Sequence, residues 1–278
     1  GTPFLGLESF RLSHAAVFSG REDAIRESIS ILRSRAEQPV QLPSLLIAGA
    51  SGCGKSSLAR CGMAHRLREL LPDVPLVEMR PGDHAADDPI VTLAGRIQQA
   101  TGAAESCDFA FVLRNVPLLA LEQLQRLRER SLPKSSGPCL VLILDQLEEL
   151  FTAGFTSDCI RGFAAVIDLL VRRGVCWCVA TIRSDLLDRL ANYREFSHFT
   201  EEGGLYVLRP ATAVEIRQII EDPAELAGLT FEQDLRTGQS LADLIFDEAR
   251  VEADALPLDV ATRRRLRKAF ALHRTGTY

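Results

Sequence analysis

The stretch Gly49-Ala50-Ser51-Gly52-Cys53-Gly54-Lys55-Ser56 decides how this chain is read. It fits the pattern G-x-x-x-x-G-K-[S/T], between a short apolar run, Leu45-Leu46-Ile47-Ala48, and a helix-patterned segment over 55–71. Glycines let a main chain wrap an anion with its amides pointing inward, at dihedrals costly for other residues. A helix that starts directly behind the turn aims its positive end at the same anion. Lys55 adds a point charge for the outer phosphates, and the Ser56 hydroxyl can join a Mg²⁺ shell. Ser51, Gly52, Cys53 and Ser57 complete the expected cradle with Gly49 and Gly54. Cys53 lies inside the turn, so its thiol is expected to react with reagents unless nucleotide covers it. Chance yields the pattern on the order of once in a hundred chains of this size.

Working outward, such a loop needs a second anchor for the cation. Val141-Leu142-Ile143-Leu144-Asp145, an apolar strand ending in a carboxylate, offers one beside the phosphates. Gln146 follows, where many ATPases carry a glutamate base. Glu148 and Glu149 come one helical turn later, and either can polarise a water. The next apolar strand ends in Ala180-Thr181-Ile182-Arg183, and Arg183 can reach a terminal phosphate. The chain order predicts the additional-strand class of P-loop sheet, with the Arg-bearing strand inserted between the first and the Asp-bearing strand.

Around these motifs, apolar runs over 45–48, 75–80, 139–144, 175–182 and 205–208 alternate with helical patterns. The helices are expected over 21–35, 55–71, 90–100, 109–130 (interrupted at Pro117), 159–173 and 185–191. This alternation predicts an α/β fold with a parallel sheet covered on both faces. After Arg209-Pro210 only helical patterns remain, over 212–221, 241–253 and 260–272. Two domains follow: a P-loop NTPase core over 1–208 and a C-terminal helical lid over 209–278.

Composition sets outer limits. Apolar residues make up 46% and charged residues 25% of the 278, as in an ordinary globular chain. The net charge of −5 argues against a dedicated nucleic-acid binder. No apolar run approaches the ~20 residues a bilayer crossing needs. Gly1-Thr-Pro-Phe-Leu-Gly-Leu7 lacks the basic and apolar regions of a signal peptide and has no initiator Met, so the chain is read as a fragment. The seven cysteines form no metal-ligand spacing and are expected to be reduced structural thiols. The absence of an Asn-Lys-x-Asp guanine reader favours adenine.

Together these segments resemble a known group. Phe4-Leu-Gly-Leu-Glu-Ser-Phe10, Phe18-Ser-Gly-Arg-Glu22, Gly49–Ser56, Asp145-Gln-Leu-Glu-Glu-Leu-Phe151, Thr181-Ile-Arg-Ser-Asp185 and Leu256-Pro-Leu258 are similar to segments of the novel STAND NTPases. These are P-loop signalling ATPases related to NACHT and NB-ARC switches. The resemblance implies that Phe18, Gly20 and Arg21 border the adenine and ribose, and that Pro257 reaches the base from the lid. It also implies ATP/ADP and Mg²⁺ as cofactors, and a cytoplasmic, mostly prokaryotic multidomain protein. Its sensor and effector parts would lie outside this chain, and nucleotide state would control self-association and output. The competing expectation is a DNA-remodelling ATPase like the AAA+ replication initiators, suggested by the basic run Arg263–Lys268.

Overall fold

Leu140–Leu144 forms β3, and all five of its side chains are buried. A strand with no polar alternation has no face to give to water, so it must lie inside a sheet covered on both sides. The computed structural model, which describes residues 4, 9–83, 88–102, 108–131, 137–201, 203–233 and 238–251, puts it there. β1 (Ser44–Gly49), β2 (Leu76–Met79), β3, β4 (Cys176–Arg183) and β5 (Leu205–Val207) form one sheet of order β2-β3-β4-β1-β5. Every pairing is parallel. β4 therefore lies between β1 and β3, as the motif order predicts.

Side chains alternate across this sheet. Leu46, Ala48, Leu142 and Leu144 face one apolar cluster, and Leu45, Ile47, Val141 and Ile143 the other. The second cluster is closed by α1 (Glu22–Glu37) and by the helix that follows the glycine-rich turn. That helix starts as α2 (Lys55–Ser57), passes through a π-helical stretch (Leu58–Met63) and ends as α3 (Ala64–Leu70). The first cluster is closed by α4 (Pro89–Thr101), α5 (Phe109–Asn115), α6 (Pro117–Ser131) and α8 (Ser157–Arg172), with α7 (Glu149–Thr152) at the strand ends. α9 (Leu187–Leu190) and α10 (Ser197–Thr200) lead to β5. α11 (Ala213–Leu226) and α12 (Leu241–Val251) have an apolar cluster of their own, centred on Ile216, Ile220, Ile245 and Phe246.

Three local features differ from the sequence expectations. The helix over 55–71 carries a π-helical stretch, which apolar periodicity does not register. The helix expected over 185–191 is a 3₁₀ turn, Ser184–Leu186, followed by α9, because Asp185 pairs with Arg183 instead of capping a helix. α11 runs through Pro223 rather than stopping at 221. Pro223 lies in its last turn, where its carbonyl still accepts from the Ala227 amide. Pro257 and the expected helix over 260–272, with its basic run, lie outside the described residues. Among the described residues no helix is long and apolar enough to cross a membrane.

Candidate functional site

The parallel register brings the ends of β1, β3 and β4 to one edge, with Gly49 level with Arg183 and Leu144 level with Ala180. Ligands of open parallel sheets bind outside such carboxyl ends. The chain leaves β1 through a turn in which Gly52 (φ 79°) and Gly54 (φ 95°) are left-handed. Gly49 is required for a different reason: a Cβ there would lie 2.7 Å from Cys53 Sγ and 3.0 Å from the Leu208 carbonyl. Lys55 Nζ donates to the carbonyls of Gly49 (2.9 Å) and Ala50 (2.7 Å), so the ammonium lies along the turn it follows.

Ser51, Gly52, Gly54, Lys55, Ser56 and Ser57 line a cleft of about 480 Å³. Gln146, Glu148 and Arg183 line it too, as do Ser9, Arg11, Arg60 and Arg80. Five cationic side chains and one carboxylate line it. Arg60, Arg80 and Arg183 are paired with Asp145, Glu78 or Asp185 from outside the lining, and Lys55 and Arg11 add positive charge suited to a polyphosphate. Cys53 is placed otherwise. Its side chain is 3% exposed and packs beneath the turn, within 4.0 Å of Lys55 Nζ, which corrects the expectation of an accessible thiol.

Asp145 is fully buried and heavily bonded. Its Oδ1 accepts from Thr181 Oγ1 at 2.8 Å, and its Oδ2 from Arg80 Nε at 3.0 Å and Arg60 Nη1 at 3.3 Å. Arg60 also donates to Glu78 Oε1 (2.5 Å from Nε) and to Ser9 Oγ (3.0 Å). Gln146 has φ 57°, and among the described residues no other non-glycine has a positive φ. Its amide donates to the same Thr181 oxygen at 2.8 Å. One hydroxyl therefore fixes both the carboxylate and the strained turn after it.

The two glutamates the sequence left equivalent are separated. Glu149 Oε2 accepts from the Gly82 amide at 2.8 Å, tying α7 to the loop after β2, and does not line the cleft. Glu148 does line it, and its Oε2 is buried without a hydrogen-bond partner among the described residues. Burial raises both carboxyls above the usual glutamate range; for Glu148 the charge of Lys55 works against that rise and Asp145 adds to it. Arg183 is held bidentately by Asp185, with contacts of 3.1 and 2.8 Å.

The family model described as Novel STAND NTPase 1 matches residues 3–267. The chain belongs to this family. It is a P-loop NTPase of the STAND type, with an α/β core. No curated protein matches its sequence significantly. Cdc6p from Pyrobaculum aerophilum is 19% identical, with a TM-score of 0.59 over 99% of this chain and 66% of that one. The ORC2 protein of Aeropyrum pernix, solved as ADPNP–ADP complexes, is 20% identical, with a TM-score of 0.50 over 93% and 61%. A Walker-type ATPase of Pyrococcus abyssi is 13% identical, with a TM-score of 0.51 over 97% and 77%. At these identities the likeness is one of fold. The STAND NTPase spans about two thirds or less of the Cdc6p and ORC2 chains.

Phe18, Gly20 and Arg21 lie away from the cleft lining of this STAND NTPase. Phe18 lines a separate cavity with Ile25, Gly62 and His65. Gly20 (φ 78°) sits against α11, where a Cβ would lie 2.5 Å from the Glu215 carbonyl. Arg21 donates to the carbonyls of Cys53 (3.0 Å) and Arg209 (3.2 Å) and pairs with Glu215 at 3.6 Å. It thereby joins the glycine-rich turn to the helices beyond residue 209. Sequence reasoning missed Arg60, Arg80 and Thr181. Arg80 was within reach, because it directly follows a strand whose parallel register with β3 brings its end beside Asp145. Arg60 depends on the π-helical stretch and left no sequence signal.

Proposed function

We propose that this chain is the nucleotide-operated module of a signalling switch, binding ATP with Mg²⁺ in the cleft and hydrolysing it slowly. The observation that carries the reading is the meeting, in one cationic cleft, of the turn 49–56 with Glu148 and Arg183 at neighbouring strand ends, with the buried Asp145 directly behind the cleft-lining Arg60 and Arg80. The amides of 52–56 and Lys55 receive the outer phosphates, and Arg183 reads the terminal one. Oxygen donors suit a hard divalent ion, and the unpartnered Oε2 of Glu148, which lines the same cleft as Ser56, supports such a site. Ser56 and Asp145 would hold the ion, with Glu148 free to orient water. When bound, Mg²⁺ supplies charge neutralisation to the phosphates.

Glu148 is the group we assign to water polarisation, because Glu149 is engaged by Gly82. Gln146, standing where a glutamate base follows the acidic strand in fast ATPases, supports slow turnover. The division into a core over 1–208 and a helical lid over 209–278 is part of this reading, with the separate apolar cluster of α11 and α12 in its favour. Phe18, Gly20 and Arg21 are assigned to the nucleoside side, where Arg21 passes the state of the turn to α11. Loss of the terminal phosphate then loosens the lid and changes self-association, with sensor and effector parts beyond this chain. The DNA-remodelling alternative rests on a basic run outside the described residues, and no described feature favours it.

The test is a titration with ATP, ADP and GTP, each with Mg²⁺, on wild type and Lys55→Ala. The reading expects ATP and ADP to bind, GTP to bind more weakly, and the variant to lose all three. Unchanged affinity in Lys55→Ala contradicts the phosphate assignment.

A further inference from the structure

Two arginines that no motif reading selects converge on one oxygen of Asp145, and they differ in kind. Arg60 is 5% exposed and is also bonded to Glu78 and Ser9, so its guanidinium is fixed from three sides. Arg80 is 31% exposed and touches Asp145 through Nε alone. Its two outer nitrogens have no partner among the described residues, and the side chain forms part of the cleft wall. A guanidinium holding one carboxylate at its near edge, with its outer fork unpaired and its side chain on the wall between the phosphate-turn cleft and a neighbouring cavity, can accept a second oxyanion.

We infer that Arg80 is a specificity-determining phosphate ligand: it exchanges Asp145 for the terminal phosphate of a nucleoside triphosphate and so releases Asp145 to the divalent cation. The inference deepens the nucleotide reading above and rests on it. Three features make the exchange feasible. Asp145 keeps Arg60 and Thr181 when Arg80 leaves, so the buried carboxylate is never without a partner. Oδ2 loses the closer of its two guanidiniums, which opens coordination room on the carboxylate. A diphosphate has no terminal group to receive the fork, so with ADP Arg80 stays on Asp145. The residue thereby favours ATP over ADP, since a ligand shifts an equilibrium only by its differential affinity. A charge-assisted fork of this kind is worth about tenfold or more in affinity.

The experiment is competitive displacement of a fluorescent nucleotide by ATP and by ADP, with Mg²⁺ present, for wild type, Arg80→Ala and Arg80→Lys. The expected result is an ATP affinity reduced about tenfold or more in Arg80→Ala, with ADP affinity held within about twofold. Arg80→Lys should fall between, because an ammonium keeps the charge and loses the fork. Retained ADP binding doubles as the check on folding. If the Ala variant does not fold, Arg80→Lys decides: an ATP-selective loss supports the exchange, and parallel losses overturn it. Equal changes for both nucleotides, or none, overturn the role of Arg80 alone. A wild type that binds neither nucleotide overturns the nucleotide reading with it.

Discussion

Replacing Thr181 by Val separates the hydrogen-bond network around Asp145 from simple packing. Thr181 is fully buried, and its hydroxyl donates to Asp145 Oδ1 while accepting from the Gln146 amide, both at 2.8 Å. Valine keeps the volume and removes the hydroxyl. The bond to an ionised carboxylate is worth about 1.5–3 kcal/mol and the amide bond about 0.5–1.5 kcal/mol. Thr181→Val should therefore lose roughly 2–4 kcal/mol. Thr181→Ser keeps both bonds and loses one methyl, roughly 1 kcal/mol. Packing logic ranks Val above Ser, and the network ranks Ser above Val. Urea unfolding midpoints for the three proteins decide between them. A Val variant within about 0.5 kcal/mol of wild type would refute the claim that this hydroxyl fixes the Asp145–Gln146 turn.

Other consequences follow from single contacts. Glu148→Gln should keep ATP binding and slow phosphate release about a hundredfold, whereas Glu149→Gln should leave the rate within a few-fold and lower stability; steady-state assays giving the reverse order would move the base role to Glu149. Burial, reinforced by the charges of Arg172 and Arg35, pushes His198 down to about 3, below its ordinary 6.5. The unfolded chain then binds the extra proton between those values, so stability falls as pH drops below about 6.5 and is about 2 kcal/mol lower at pH 5 than at pH 8. His198→Asn should flatten that slope in denaturant melts; an unchanged slope assigns it elsewhere. Arg21→Ala should speed hydrogen exchange across α11 by removing its links to the Cys53 and Arg209 carbonyls and to Glu215; unaltered exchange there would deny the coupling.

Much of the architecture was legible because the core strands carry their own instructions. The unbroken apolar runs of β1 and β3 demanded a doubly covered sheet, and the order of motifs along the chain gave the placement of β4. The phosphate turn was legible for the same reason: its glycines at 52 and 54 are demanded locally by backbone conformation. Functional contacts made through tertiary register were harder to see. Nothing in Asp-Gln-Leu-Glu-Glu distinguishes the glutamate that faces the cleft from the one that turns to Gly82; that depends on where the loop after β2 passes. Cys53 was misjudged because its place in the loop sequence says nothing about the side of the turn on which its sulfur lies. Arg60 needed a π-helical stretch that hydrophobic spacing does not report.

The central claim is that the turn 49–56 and the acidic end of β3 together grip a triphosphate and its cation. The most direct measurement is a crystal structure grown with a non-hydrolysable ATP analogue and Mn²⁺, read by anomalous scattering. The account predicts the outer phosphates against the amides of 52–56 and a Mn²⁺ peak beside Ser56 Oγ on the side of Asp145. Nucleotide bound elsewhere, or a phosphate-filled turn with the metal peak remote from both residues, would contradict it.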